Sequence, residues 1–169
     1  VLSLRRLTGE AAEMAALQCV FEAAPRYFEL ITGLPPGAAE AQSTFTALPP
    51  GKTYDDKRVY GLYASDAMIG CADVIRGYPV REKAVIGLLL IVEPWQGRGL
   101  GRAFERLIVR TLDDWPEITT VRIGVVATNA GALAFWRKLG YRETGETRPP
   151  SPLFVADVIV LERPLERAA

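Results

Sequence analysis

Hydrophobic positions change their period several times along this chain, and each change marks an element. Residues 2–7 alternate apolar and basic side chains, a short first strand. From Glu10 to Ala24 the stripe Met14, Leu17, Val20 and Phe21 recurs at helical spacing, with Thr8 placed to cap it. Pro25 interrupts, and Arg26 to Thr32 reads as a second short helix ending at Gly33. Residues 33–57 are the least regular; two Pro-Pro-Gly turns bracket Ala38 to Leu48, where one more helix fits. Arg58 to Ala64 and Ala67 to Tyr78 alternate on either side of Ser65-Asp66, which predicts a hairpin.

Val85 to Val92 differs from these. It is an apolar run of strand length broken only by Gly87, which predicts a central strand covered on both faces. Beyond Pro94, Phe104, Leu107, Ile108, Thr111 and Leu112 form a helical stripe, with Arg102, Glu105, Arg106 and Arg110 expected on the wet face. Val121, Ile123, Val125 and Ala127 alternate as a further strand. Asn129 then opens a helix that turns Leu133, Trp136 and Leu139 inward and is capped by Gly140. Tyr141 to Thr147 and Phe154 to Leu161 are the last two strands, joined by the stiff Arg148-Pro149-Pro150-Ser151-Pro152.

Between the central strand and its helix lies Gln96-Gly97-Arg98-Gly99-Leu100-Gly101. Glycines here let the chain bend tightly and let a ligand approach the backbone. The first turn of a helix offers unpaired N–H donors and partial positive charge, so the segment suits a phosphate or pyrophosphate, with Arg98 and Arg102 adding full charges. A tight turn with no ligand is the bland alternative. The dinucleotide fingerprint fails in both registers, because Arg102 or Phe104 stands where its third glycine belongs. Gly51-Lys52-Thr53 ends like a P-loop, but Thr46 replaces the first glycine and Pro49-Pro50 fill the loop.

The Gln96–Gly101 run resembles the Gln/Arg-x-x-Gly-x-Gly/Ala signature of the GNAT acetyltransferase superfamily. The segment Asn129 to Tyr141 resembles that family's second motif, an Asn, a short apolar helix and then Gly-Phe/Tyr. The resemblance extends over nearly the whole chain, with its specific residues in 86–141. It implies an α/β (α+β) fold in a single domain over 1–169. About seven strands would form one mixed, mostly antiparallel sheet flanked by helices, with a splayed central strand. It implies an acetyl-CoA-dependent N-acetyltransferase acting by direct attack in a ternary complex. The acceptor would be a small-molecule amine, a peptide N-terminus or a lysine. In that reading the backbone of Gly97, Arg98, Gly99, Leu100, Gly101 and Arg102, with Gln96, surrounds the pyrophosphate of coenzyme A. Leu89, Leu90 and Ile91 pair with its pantetheine arm, and Asn129 and Trp136 lie beside that arm. Residues 33–57 would either overhang the acceptor pocket or form an ordinary connection.

The catalytic groups depart from the family pattern. Many members carry a Tyr seven residues after the motif Asn; here that position is Trp136, whose indole does not ionise usefully. No Glu lies on the central strand. Asp73, in the apolar surroundings Ala72, Val74 and Ile75, and Glu93, just past the splay, are the carboxylate candidates for a base. Tyr141 is the phenol at the Gly-Phe/Tyr position, and core packing is its bland alternative. Tyr27 and Tyr78 are further candidates from the lid side. Asn129 equally suits a helix N-cap. A sensor or regulatory module that binds acyl-CoA without turnover, and a nucleotide protein with an unusual loop, are the competing functions.

Composition narrows these choices. Among 169 residues, 20 Lys and Arg balance 20 Asp and Glu, so no global field favours nucleic acid or an anionic membrane. The absence of His removes His-based triads and most zinc sites, and no metal is expected. No apolar run approaches the roughly 20 residues of a membrane span. Val1 to Arg6 lacks both a signal-peptide layout and a starting Met, so we expect a leading residue or tag to have been lost. Cys19 and Cys71 are expected to be reduced, in a cytoplasmic protein; a homodimer is left open.

Overall fold

The apolar run around Gly87 forms the middle of a seven-stranded sheet in the computed structural model, which describes residues 1–167. The strands are β1 (Leu2–Arg6), β2 (Lys57–Ala64), β3 (Ala67–Arg76), β4 (Lys83–Ile91), β5 (Thr120–Val126), β6 (Arg142–Arg148) and β7 (Val158–Pro164), in the spatial order β1-β2-β3-β4-β5-β7-β6. Five helices flank them: α1 (Ala11–Glu22), α2 (Pro25–Thr32), α3 (Glu40–Thr46), α4 (Leu100–Thr111) and α5 (Ala130–Lys138). Every neighbouring pair is antiparallel except β4 and β5. The α/β class, the strand number and the mixed, mostly antiparallel sheet are those expected.

Two apolar clusters lie about the sheet. One joins Ile86, Val121 and Ile123 to Ile108 of α4 and to Leu133 and Trp136 of α5. The other joins Leu17, Val20 and Phe21 of α1 and Phe28 of α2 to Val59, Cys71 and Leu90. Burying a large aliphatic side chain is worth about 1.5–3 kcal/mol, so this coverage fixes which side chains of each strand turn inward.

The parallel pair is the irregular part. β4 and β5 are paired only at Lys83↔Thr120, Ala84↔Val121 and Val85↔Arg122. Beyond that point β4 stays on β3 as far as Gly70↔Ile91, and β5 stays on β7 as far as Val126↔Val158. The two strands therefore diverge, and their facing edges lose their partners. A bulge sits where they part: the register passes from Val74↔Ile86 to Asp73↔Leu88 and skips Gly87. Glycine is required there, because a Cβ on Gly87 would collide with Asp73 Oδ1.

Four local expectations change. The last strand begins at Val158 rather than Phe154, because Phe154 closes a turn onto the Ser151 carbonyl and the Val155 N–H donates to Ile31 O. Thr8 does not cap α1; the Glu13 carboxylate instead folds back to accept the Thr8 and Gly9 N–H groups at 2.7 and 2.9 Å. Glu105 is not on the wet face: it is 2 % exposed and bonded to Tyr141 and Arg163. Residues 33–57 do not overhang the cleft. Their helix α3 is tied to α1, with the Ala41 N–H donating to Gln18 Oε1 and Gln18 Nε2 donating to Gly37 O.

Candidate active site

The divergence of β4 and β5 opens a cleft of about 870 Å³. Val85–Ile91 and Arg122–Val126 form its two walls, the turn from Trp95 to Arg102 one end, and the inner face of α5 a further side. Tyr27, Leu30 and Ile31 of α2, with Phe154 from the β6–β7 connection, roof it. Two hydrogen bonds anchor that roof: Thr128 Oγ1 donates to Leu30 O at 2.6 Å, and the Val155 N–H donates to Ile31 O at 2.9 Å.

The glycine turn has the shape an anion needs. Gly97 and Gly99 have φ of 73° and 77°, and a Cβ on either would meet nothing within 4 Å. Gly99 immediately precedes Leu100, the first residue of α4, so the helix's unpaired amides begin at this open surface. Gln96 pins the turn to the end of β4 by donating from Nε2 to Ile91 O at 2.7 Å. Arg102 lines the cleft, whereas Arg98 folds away, donating to Pro94 O and stacking on Trp95. Gly101 has a packing reason to be glycine: a Cβ there would lie 2.9 Å from the Phe135 ring on α5.

Leu89, Leu90 and Ile91 all line the cleft along the edge of β4 that β5 has left. Asn129 caps α5, its Oδ1 accepting the Ala132 N–H at 3.2 Å, and it also faces the cleft. Trp136 lines the cleft while packing edge-on against Phe135 and Tyr141. An unpaired strand edge long enough for an extended amide chain, ending at an open helix N-terminus beside Arg102, fits coenzyme A from pantetheine to pyrophosphate.

None of the three proton-transfer candidates is among the described residues that line the cleft. Asp73 Oδ2 accepts from Lys57 Nζ at 2.8 Å, in a pair almost fully removed from water. Burial pushes its carboxyl up, against the opposing pull of Lys57 and the Gly87 amide. Glu93 accepts the Arg26 N–H at the start of α2. Tyr141 is 1 % exposed and donates to Glu105; burial and then the Glu105 charge push its phenol up. Each thus has a structural partner, and Asp73 also backs onto the cleft wall, its Oδ1 standing where a Cβ on Gly87 would fall. Cys71 is likewise fully buried, with its thiol pushed up by burial and by Asp73.

Tyr27 and Tyr78, the lid-side phenols, do line the cleft, and burial pushes Tyr27 up. Arg122 was not singled out from the sequence, although its place as a polar residue between Val121 and Ile123 was the available signal. It is 5 % exposed, lines the cleft and is held by Glu146 and Glu162. No Asp, Glu or Cys is among the described residues that line the cleft.

Comparison with known proteins agrees with this geometry. A model of the acetyltransferase (GNAT) family matches residues 21–141. An acetyltransferase from Thermus thermophilus superposes with a TM-score of 0.75 at 29% identity, covering 98% of this chain and 97% of its own. Two others share the fold at lower identity. The aminoglycoside acetyltransferase AAC(6')-Ib in complex with coenzyme A has a TM-score of 0.73 at 20% identity, covering 97% of this chain and 95% of its own. A GNAT family acetyltransferase from Elizabethkingia anophelis with acetyl-CoA bound has a TM-score of 0.63 at 15% identity, covering 97% and 98%. No curated protein sequence matches the chain. The splayed β4–β5 pair, the open glycine turn and the family match over most of the sequence agree: the chain belongs to the GNAT family of acetyltransferases, whose cofactor is acetyl-CoA.

Proposed function

We infer that the chain is an N-acetyltransferase that passes an acetyl group to a primary amine by direct attack, with no acyl-enzyme stage. The observation that carries this is the unpaired β4 edge running into the open turn at Gly97 and Gly99. Acetyl-CoA supplies an activated acyl carbon. The amides from Gly97 to Arg102, with the Arg102 side chain, hold its phosphates; Leu89, Leu90 and Ile91 hold its amide arm through backbone groups alone. The N–H of Leu90 or Ile91 is the donor we assign to the carbonyl oxygen, where fixed dipoles in a dry cleft act most strongly. Asn129 orders α5 and flanks the arm.

The proton balance follows from what lines the cleft. Without a carboxylate or His facing the acceptor, the amine enters as free base and gives its proton to solvent. Trp136 in the usual tyrosine position donates a hydrogen bond at most, so the departing thiolate leaves unprotonated. Asp73, Glu93 and Tyr141 act on the scaffold. Cys71, fully buried and not among the residues that line the cleft, carries no acyl group. Both cysteines are free, which supports a cytoplasmic setting. No described helix is long and apolar enough to cross a membrane.

Thiol release from acetyl-CoA across an amine panel tests the reading, with the product checked by mass and by resistance to hydroxylamine, which cleaves esters and not amides. Stable acetamide products are expected. Tight acetyl-CoA binding with no transfer to any amine would return the chain to a sensor role, and hydroxylamine-labile products would make it an O-acetyltransferase.

A further inference from the structure

The β5–β7 side of the cleft carries an excess of positive charge. Strand alternation turns Val121, Ile123 and Val125 toward α4 and α5, and so turns Arg122, Gly124 and Val126 to the opposite face. Across on β7 the same face carries Glu162, Val160 and Val158. Arg122 donates from Nη1 to Glu162 at 3.0 Å and from Nη2 to Glu146 at 2.7 Å. Lys83 bonds the same Glu162, and Arg148 Nε lies 3.7 Å from Glu146. Three cations therefore share two carboxylates. Of these five, Arg122 and Arg148 line the cleft, and the half-exposed Glu146 bridges them. Arg26 also lines the cleft, but its guanidinium is largely exposed and lies 3.6 Å from Glu93.

A second positive charge on an acceptor would meet this excess of positive charge in a partly desolvated space, which is unfavourable. A carboxylate would find the opposite. The two hydrogen bonds of Arg122 occupy only part of its planar donor fork, which matches a carboxylate in two-pronged fashion. Around this polar end the surface is apolar: Leu30, Ile31, Phe154, Val158 and Val160.

We propose, resting on the transferase reading above, that the acceptor is an amine bearing a carboxylate and an apolar body, of the α-amino-acid type. Arg122 and Arg148 receive the carboxylate, and the body lies beneath α2 and Phe154. Polycationic amines are rejected by the same arginines.

The test is steady-state thiol release with the common L-amino acids, their amides and spermidine, compared at equal free-base concentration, after calorimetry has established acetyl-CoA binding. Wild type and Arg148→Gln are measured; Arg148 is half-exposed, so its loss spares the core. Apolar amino acids are expected to exceed their amides at least tenfold in kcat/KM. Arg148→Gln is expected to raise KM for the acids several-fold with kcat held, and to leave the amides unchanged. Amides or spermidine equal to or better than the acids would overturn the proposal, as would an acid preference that survives Arg148→Gln. If nothing turns over, the CoA-saturated protein must still show a thermal shift with apolar amino acids; absence of that shift also overturns it. Failure of acetyl-CoA to bind would instead fault the transferase reading.

Discussion

The Tyr141 hydroxyl donates to Glu105 Oε1 at 2.9 Å, and Arg163 Nη2 donates to the same oxygen at 2.5 Å. Arg163 also lies over the Tyr141 ring and donates to Leu139 O. The network joins α4, the end of α5 and β7 beneath the cleft, and it gives Tyr141 a fixed structural task.

Tyr141→Phe should therefore cost about 1–3 kcal/mol of stability, the range for removing one partner of a buried hydrogen bond. The shape of the pH–rate profile should not change. The folded phenol is held above its unfolded value of about 10, so the native state keeps a proton that the unfolded chain gives up. This contribution is complete below about pH 10 and is lost as pH rises further. Denaturant melts of wild type and Tyr141→Phe across pH 8 to 11 would show the variant losing less stability at the alkaline end.

Asp73→Asn should act on the fold too. It leaves Lys57, with only 3% of its side chain exposed, without its countercharge. Breaking such a buried pair costs about 3–5 kcal/mol. Lower stability with an unchanged pH–rate profile is the expected outcome; a fold-neutral variant that loses only kcat would make Asp73 a proton carrier.

Gly101→Ala separates packing from binding. Its Cβ would press on the Phe135 ring and not on the ligand space. We expect a loss of about 1–3 kcal/mol from overpacking, with Phe135→Leu in the same chain restoring part of it. Thermal melts of the single and double variants decide this.

The pH–rate profile reports the acceptor. With no carboxylate among the described cleft-lining residues and no His in the chain, the rate should rise through about pH 7 to 9 as an alkyl amine loses its proton, and then level off. Trp136→Phe should leave that shape alone, while Trp136→Tyr should add a phenolic limb at about pH 10. A wild-type fall above about pH 8.5, with the fold intact, would oppose this and direct attention to Tyr27 or Tyr78, both of which line the cleft.

What could be read from the chain beforehand was what depends on local period. The apolar run at β4, the glycines of the turn and Asn129 before its apolar helix each carry their reason within a few residues. What could not be read depends on distant partners. Glu105 looks like a solvated helix position until Arg163 and Tyr141 are brought to it. Asp73 looks like an unpaired buried carboxylate until β2 sets Lys57 beside it. Gly101 shows its packing reason to be glycine only when α5 brings Phe135 over it. The start of β7 was misplaced because Val155 spends its amide on Ile31 of α2, and no local pattern signals that bond.

Calorimetric titration of acetyl-CoA into wild type and Gly99→Asn bears most directly on whether the splayed cleft and its glycine turn hold the cofactor. Asn tolerates the left-handed backbone that Gly99 adopts at φ 77°, and its side chain would project into the open space at the start of α4. Wild type should bind in the micromolar range or tighter without added metal, about −8 kcal/mol or better. The variant should melt near wild type and bind at least tenfold more weakly. No detectable binding by wild type, or equal binding by the folded variant, would contradict that placement.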